Sequence, residues 1–287
     1  MKFLGAWLVT EYVYNPNGRF IGIVRQRREL EEVGNGRLRV TQHCEPEAAL
    51  RDHAMGAFAG RHVFELSVDG RYRHYHGTAV MGSGRLWGDN VVTGRGLWPQ
   101  FGHNFRSLSI LPQPHWQLTS GKFFNATEMM ANIVGVGVNE NNSRDWPKLD
   151  GPHWAGDIAT QWQGTMQQVR RDGFVERETP LHRRYGQHLA DQLNWADHWD
   201  DRVNFALDLH PNTTRLQING VGEPGVVLHG VGKQFGWLLE IEAISDPGVT
   251  LVMTEVLDGR SGHLVGLRRW LRENELERIE VIQLRPM

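Results

Sequence analysis

Cysteine is almost absent from this sequence, because Cys44 is the only one in 287 residues. A single thiol excludes an intrachain disulfide, and it also excludes a zinc site built from clustered thiolates. Such scarcity is typical of proteins that work in a reducing compartment. We therefore expect a cytoplasmic protein.

An excess of positive charge is also lacking. Lys plus Arg number 31 against 33 for Asp plus Glu, which gives a net charge of -2 with His neutral. No surplus of cations is present to neutralise phosphates, so nucleic acid is not a predicted partner. The clustered bases Arg25, Arg27 and Arg28 are interpreted as a solvated strand face.

Long hydrophobic runs are missing as well. The opening segment MKFLGAWLVTEYVYNPNG carries only a short apolar run, which Glu11 interrupts. It lacks the length of a membrane span and the cleavage region of a signal peptide. The sequence therefore predicts neither a membrane partner nor secretion.

What the chain does contain is short alternating segments separated by turn residues. Trp7–Tyr14 alternates and ends at the turn Asn15-Pro16-Asn17-Gly18, and similar units recur about every ten residues, with no βαβ alternation. This rhythm predicts a mainly β protein, an antiparallel β-barrel in two halves, with one or two short helices. Pro46–Met55 is the best early helix, and Gln187–Trp199 is a helix or a loop.

A polar stretch rich in Asn, Pro and Gly follows residue 138 and marks the expected division of the chain. We predict an N-terminal barrel half over residues 1–140, a linker over 141–154, and a C-terminal β half over 155–287. Whether the halves form one domain or two stays open, and so does a homodimer.

Gly5-Ala6-Trp7 and the meander that follows resemble the opening of lipocalin-like (calycin) barrels, in which a Gly-x-Trp begins the first strand. The resemblance covers about the first half of the chain. The late-strand Arg that packs on this Trp in lipocalins has no clear counterpart in Met129–Val138. The resemblance implies lipocalin-like halves whose barrels hold small, largely apolar molecules, a minority of them being enzymes.

The segment His62–His76 predicts a β-hairpin whose turn decides which side chains face inward. A two-residue turn at Asp69-Gly70 would put Leu66 opposite Arg73 and mix apolar with basic side chains on one face. A three-residue loop, Val68-Asp69-Gly70, pairs Ser67 with Arg71 and separates the two classes cleanly. The longer loop is therefore preferred.

In that register one inward face carries three histidines and a tyrosine, namely His62, His74, His76 and Tyr72. Three interpretations stay open. The histidines are simply packed inside a barrel, or one of them is a general acid or base near neutral pH, or all three bind a divalent metal ion. A carboxylate ligand for the metal is not evident nearby.

The glycine-rich stretch Gly82–Asn104 is expected to be a long connection. Two interpretations stay open. The glycines only allow backbone conformations that other residues avoid, or the stretch forms the rim of a pocket. In the second case an apolar wall and directed polar groups would contact substrate, and these residues are Trp87, Trp98, Phe101, Arg95, His103 and Asn104. The stretch does not match a phosphate-binding loop.

The function predicted from these features is acid/base chemistry of an isomerase, hydratase or lyase type, without a cofactor, on a small and mostly apolar organic molecule. His74 or His76 would be the acid or base, and His62 and Tyr72 would orient it. Arg95 or His103 would stabilise negative charge on a substrate oxygen. One alternative is a non-catalytic lipocalin-like protein that binds an apolar ligand or a tetrapyrrole. A second is a His-ligated metalloprotein.

Overall fold

A computed structural model describes residues 2–149, 160–186, 193–200, 202–212, 215–221, 226–245, 248–258 and 262–287. The chain divides into two compact units, Met1–Leu149 and Asp150–Met287. Each unit contains a closed barrel of ten antiparallel strands. The predicted mainly β fold with two barrel halves is confirmed.

In the first barrel every strand pairs with the next one along the chain, and the last strand, β10, pairs with β1 to close the ring. Its strands are β1 Gly5–Tyr14, β2 Phe20–Gly34, β3 Arg37–Pro46, β4 Gly60–Asp69, β5 Tyr72–His76, β6 Met81–Trp87, β7 Val91–Trp98, β8 His103–Gln113, β9 Trp116–Asn125 and β10 Glu128–Asn139.

The second barrel repeats this up-and-down topology, with β20 pairing with β11. Its strands are β11 Gln161–Val169, β12 Val175–Tyr185, β13 Leu193–Trp199, β14 Arg202–Asn212, β15 Arg215–Val221, β16 Val227–Phe235, β17 Leu238–Ile244, β18 Val249–Asp258, β19 His263–Arg272 and β20 Glu275–Pro286.

The alternation of side chains along each strand explains why these sequences form barrels. In β3, Leu38 and Val40 are buried, whereas the alternate residues Arg37 and Arg39 are exposed. Successive side chains of a strand point to opposite faces, so period-two patterns place one set inside the barrel and the other set in water.

The helix expected over Pro46–Met55 is instead two short 3-10 turns, Ala48–Leu50 and Ala54–Phe58. The His53 side chain accepts the Met55 N–H at 3.2 Å, so a new turn begins there and no continuous helix forms. Leu50, Met55 and Phe58 are buried in the apolar core of the first barrel. The connection between β3 and β4 therefore packs into one end of that barrel.

Two other expectations are wrong. The glycine-rich stretch is not a long connection, because most of it forms β6, β7 and the start of β8. The end of the 187–199 segment is the strand β13, while residues 187–192 lie outside the described residues. Among the described residues, no helix has the length and apolar character needed to cross a membrane.

A candidate ligand site inside the first barrel

The hairpin of β4 and β5 has a different register from the expected one. Asp69 pairs with Tyr72, which leaves Gly70 and Arg71 as a two-residue turn, with Gly70 at a positive φ of 56°. The three-residue loop is therefore wrong. The expectation failed because it excluded Arg73 from an apolar face, yet this side chain is buried with its guanidinium 5.4 Å from the Phe3 ring.

This register separates the three histidines. His74 and His76 are exposed on the outer face of the barrel with their rings 6.3 Å apart, and Tyr72 is 46% exposed beside them. His62 alone faces inward and is buried. The described residues contain no group of three or more His, Cys, Asp or Glu that could hold a metal ion. The structure does not assemble the inward His trio or the three-His metal site.

His62 makes two hydrogen bonds that hold the end of the barrel together. Its Nε2 donates to the Phe58 carbonyl oxygen at 2.9 Å, and its Nδ1 accepts from the Gln100 side-chain amide at 3.3 Å. A carbonyl oxygen can only accept a hydrogen bond, so the neutral His62 ring is assigned the tautomer with its proton on Nε2. Both ring nitrogens are thus occupied in joining β4, the second 3-10 turn and the β7–β8 turn.

The six residues expected at a pocket rim divide between the two faces of the sheet. Trp98 lines the interior, Phe101 packs 4.4 Å from the Phe58 ring, and His103 lies 6.4 Å from Phe101. The other three lie on the outer face because alternate residues of β6–β8 point outward, and these are Trp87, Arg95 and Asn104. Arg95 therefore cannot stabilise charge on a ligand inside the barrel.

The interior of the first barrel contains a cavity of about 180 Å³. An apolar cavity of about 150 Å³ is large enough to bind benzene. Most of the wall is apolar and rich in aromatic rings, including Phe58, Phe64, Trp98, Phe105 and Phe123. A smaller set of polar residues also lines it, namely Glu11, Gln26, Arg28, Gln42, Arg73, Tyr75, Arg106, Ser107, Ser109, Gln117, Thr119 and Ser120.

Arg28 is the central polar group of this wall. Its Nη2 donates to Gln117 Oε1 at 2.6 Å, and this bond crosses the interior because two strands, β1 and β10, separate β2 from β9. In the part of the chain that the structure describes, its buried Nε has no hydrogen-bond partner. Burial lowers the pKa of Arg28, and the nearby Glu11 carboxylate opposes that shift.

Among the described residues, Glu11 is the one carboxylic acid in the cavity wall. Burial raises its pKa from an ordinary 4.5 to about 6, although the charge of Arg28 acts in the opposite direction. The Glu11 side chain is partly exposed, and its exposed part faces the cavity that it lines. Within the described part of the chain the carboxylate makes no ion pair and no hydrogen bond, so its oxygens are available to a ligand.

Glycines in the neighbouring strands make room for these polar side chains. Gly135 of β10 pairs with Glu11, and a Cβ there would lie 3.1 Å from Glu11 Cγ and would collide with Thr119 Oγ1. On the opposite wall, a Cβ on Gly94 would lie 3.1 Å from the Tyr75 hydroxyl. The absence of a side chain at these glycines therefore leaves room inside the barrel for Glu11 and Tyr75.

Glu11 and Arg28 are site residues that the sequence patterns did not reveal. Glu11 was interpreted only as an interruption in an apolar run, and Arg28 was assigned to a solvated face with Arg27. The two-residue alternation of the strands contained the information that these side chains point inward. Glu11 shares the parity of the buried Trp7 and Val9, and Arg28 shares that of buried positions in β2.

The second barrel has a different interior. Arg183 bonds Asp197 at 2.6 and 3.0 Å and Glu255 at 2.7 and 2.8 Å, and Arg268 also bonds Asp197. These four side chains have no exposure. Burial would raise the pKa of Asp197, but the two guanidiniums lower it below its ordinary value. This ionic cluster occupies the space among the apolar core residues of the barrel.

Comparisons with known proteins bear on the fold alone. No family model matches the chain, and no curated protein does. A solved structure of a Nostoc punctiforme protein of unknown function from the DUF3598 family superimposes with a TM-score of 0.63, at 12% identity, over 100% of this chain and 97% of that chain.

Two further solved structures align at lower scores. Transferrin-binding protein B of Haemophilus parasuis gives a TM-score of 0.27 at 7% identity, over 98% of this chain and 75% of that one. Kievitone hydratase of Nectria haematococca gives 0.19 at 8% identity, over 99% and 90%. Scores this low support no structural argument. The chain therefore shares its fold with the Nostoc protein, whose own function is unknown.

Proposed function

We propose that the first barrel binds a small, mostly apolar molecule that carries one anionic oxygen group, in the manner of a lipocalin-like binding protein. The observation that carries this proposal is Arg28, which lines a largely apolar cavity and whose Nε–H has no acceptor among the described residues. A buried guanidinium without a full set of acceptors is costly, and a bound oxyanion would supply them.

The chemistry of the ligand follows from the wall. A guanidinium offers five N–H donors in a plane, and a carboxylate accepts two of them side by side. Aromatic rings such as Phe64 and Trp98 would contact the apolar part of the same molecule. A volume of about 180 Å³ suits one aromatic ring with a small substituent. Benzoate combines these properties and is a suitable probe.

Replacing Arg28 should weaken benzoate binding specifically. Arg28→Met keeps an apolar stem but removes the charged donors, so we expect the dissociation constant to rise about tenfold to a hundredfold, as for the loss of charged hydrogen bonds. Isothermal titration calorimetry of the full chain measures this change. Toluene, which has no charge, should bind the variant at least as well as it binds the wild type.

Arg27→Met is the matched control. Arg27 directly precedes Arg28 on β2 and points outward, where its Nε lies 2.6 Å from Glu140 Oε1. It should leave benzoate affinity unchanged. Equal losses in the two variants, or no loss in Arg28→Met, would contradict the assignment of Arg28.

Benzoate binding should also depend on pH through Glu11. A carboxylate ligand beside Glu11 is repelled when Glu11 is ionised, and burial raises the pKa of Glu11 to about 6. The affinity should therefore increase as pH falls from about 8 towards 6, by at most about tenfold per pH unit because one proton is taken up. Titrations at several pH values measure the slope, and Glu11→Gln should flatten it. A slope that persists in Glu11→Gln would show that another group is responsible.

A cytoplasmic location forms part of the proposal. Cys44 is a buried free thiol, and burial raises its pKa to about 12. A single unreactive thiol suits a reducing compartment.

The second candidate function is acid/base catalysis on the same small molecule. The availability of the Glu11 carboxylate to the cavity favours it.

A further inference from the structure

We propose that the cavity of the first barrel is an active site in which Glu11 takes a proton from a carbon of the bound molecule and Arg28 stabilises the oxyanion that forms. This inference rests on the proposed binding function, since the substrate must first occupy the cavity. Glu11 is a catalytic residue in this assignment because its oxygens contact the substrate directly.

The placement of Glu11 supports the role of a base. The carboxylate lies inside the barrel and borders the cavity, and neither of its oxygens forms an ion pair or hydrogen bond with a described residue. A carboxylate deprived of water is a stronger base than one in solution, because burial disfavours its charge. Burial accordingly raises its pKa to about 6, which brings the base closer to neutral pH.

The separation of Glu11 from Arg28 supports a division of roles. Their charges influence each other, yet the two side chains form no ion pair. A direct contact would neutralise the base and occupy the cation. Both side chains line the same cavity, so a bound substrate can present its reacting carbon to Glu11 and its oxygen to Arg28.

The substrate class that fits is an apolar β,γ-unsaturated carbonyl compound, whose acidic C–H lies between the carbonyl carbon and the C=C bond. Glu11 accepts the proton, the C–H electron pair becomes a C=C bond, and the carbonyl π electrons move to oxygen, giving an enolate opposite Arg28. The protonated Glu11 then returns the proton to a conjugated carbon, and the carbonyl re-forms with the double bond shifted. The sum is an isomerisation that needs no oxidant, reductant or cofactor.

Cys44 does not compete for this role. Its thiol is buried with a pKa raised to about 12, and it accepts a hydrogen bond from Gln26 at 3.7 Å. The thiolate that nucleophilic or base catalysis would require is therefore suppressed.

The probe for the inference is 5-nitrobenzisoxazole, a small planar aromatic molecule. A base removes its ring C–H proton, the electrons form a nitrile, the N–O bond breaks, and the pair leaves on oxygen as a coloured phenolate. Both proposed roles are thereby tested, because the proton goes to Glu11 and the negative charge develops towards Arg28. Absorbance of the phenolate measures the rate, with the full chain as the catalyst.

We expect Glu11→Gln to lower kcat for this reaction by about a hundredfold or more, the usual contribution of a positioned general base. Its benzoate binding should persist, which shows that the cavity is intact. The wild-type rate should rise with pH through an inflection near the pKa of Glu11, about 6. Arg28→Met should lower kcat as well, and Arg27→Met should match the wild type. Toluene should inhibit by competition.

The two proposals fail in different ways. If the probe and benzoate bind in competition with toluene but the wild type and Glu11→Gln turn the probe over equally, the catalytic inference is overturned and the binding function stands. If neither probe nor benzoate binds, and toluene has no effect, both proposals are overturned.

Discussion

Asp197→Asn is expected to destabilise the second barrel by about 3–5 kcal/mol, the typical cost of removing one partner from a buried ionic group. Asp197 has no exposure and accepts hydrogen bonds from both Arg183 and Arg268. The amide keeps the shape of the side chain but not the charge, so two buried guanidiniums lose their shared anion. Their desolvation is then no longer compensated.

Hydrogen exchange of the full chain measures this effect barrel by barrel, which a single melting curve of a two-unit protein does not. We expect exchange to accelerate by about a hundredfold or more in β12, β13, β18 and β19. Asp200→Asn is the matched control, because Asp200 pairs with Arg177 at 3.3 Å on the surface with both side chains about half exposed. That change should cost under about 1 kcal/mol. Equal effects would contradict a special role for the buried cluster.

The same cluster predicts how the second barrel responds to acid. The pKa of Asp197 is lower in the folded state than its ordinary value of 3.8. The unfolded chain therefore binds this proton more tightly, so the stabilisation is present above pH 3.8 and is lost as pH falls through the folded pKa. Glu11 has the opposite sign, since its raised pKa favours the folded state as pH falls from about 6 to 4.5.

Phe58→Ala should destabilise the first barrel by about 3–5 kcal/mol and open its cavity to water. Phe58 is 4% exposed, and its ring packs 4.4 Å from Phe101, 5.1 Å from Phe123 and 5.3 Å from Trp98. Removing the ring leaves a void at the end that the 3-10 turns cover. Water that enters there would reduce the burial of Glu11.

Two measurements test this expectation. Hydrogen exchange should accelerate in the strands of the first barrel but not in those of the second. The pKa of Glu11, followed by carbon-13 NMR, should fall from about 6 towards its ordinary 4.5 because burial is what raises it. Phe20→Ala is the control, since Phe20 belongs to the same barrel but is 46% exposed. A Glu11 pKa unchanged by Phe58→Ala would show that the ring does not exclude water from the cavity.

The two barrels share a topology and differ in what fills them. The first places Glu11, Arg28 and several amides around open space, whereas in the second the paired side chains of Arg183, Asp197, Glu255 and Arg268 have no exposure. Within the described residues Arg268 also has unused donors, but its guanidinium packs 3.8 Å from the Phe205 ring, whereas Arg28 borders a cavity that a ligand can occupy. This difference is why the proposed functions concern the first barrel.

The candidate site was only partly predictable. Trp98 was expected to contact a ligand and does line the cavity, because its position near a strand end and its size both favour burial. Glu11 and Arg28 were not found, because a charged residue inside an alternating strand is ordinarily assigned to the water-facing set. Both residues alternate in step with buried neighbours of their strands, which opposes that assignment. Alternation alone does not reveal, however, that a charged side chain has a partner inside the barrel, as Arg28 has in Gln117.

By itself the sequence determined the barrel class and many of the strands, because period-two alternation is a local property of the chain, but glycines obscured that alternation in β6 and β7. Only the tertiary structure decided which face of the β4–β5 hairpin is inside. A shift by an odd number of residues exchanges the two faces. Ser67 pairs with His74 instead of the expected Arg71, a shift of three residues, so His74 and His76 lie in water and Arg73 and Tyr75 inside the barrel. That choice depends on what the other strands place opposite, including Gly84 and Gly94, which leave room for Tyr75.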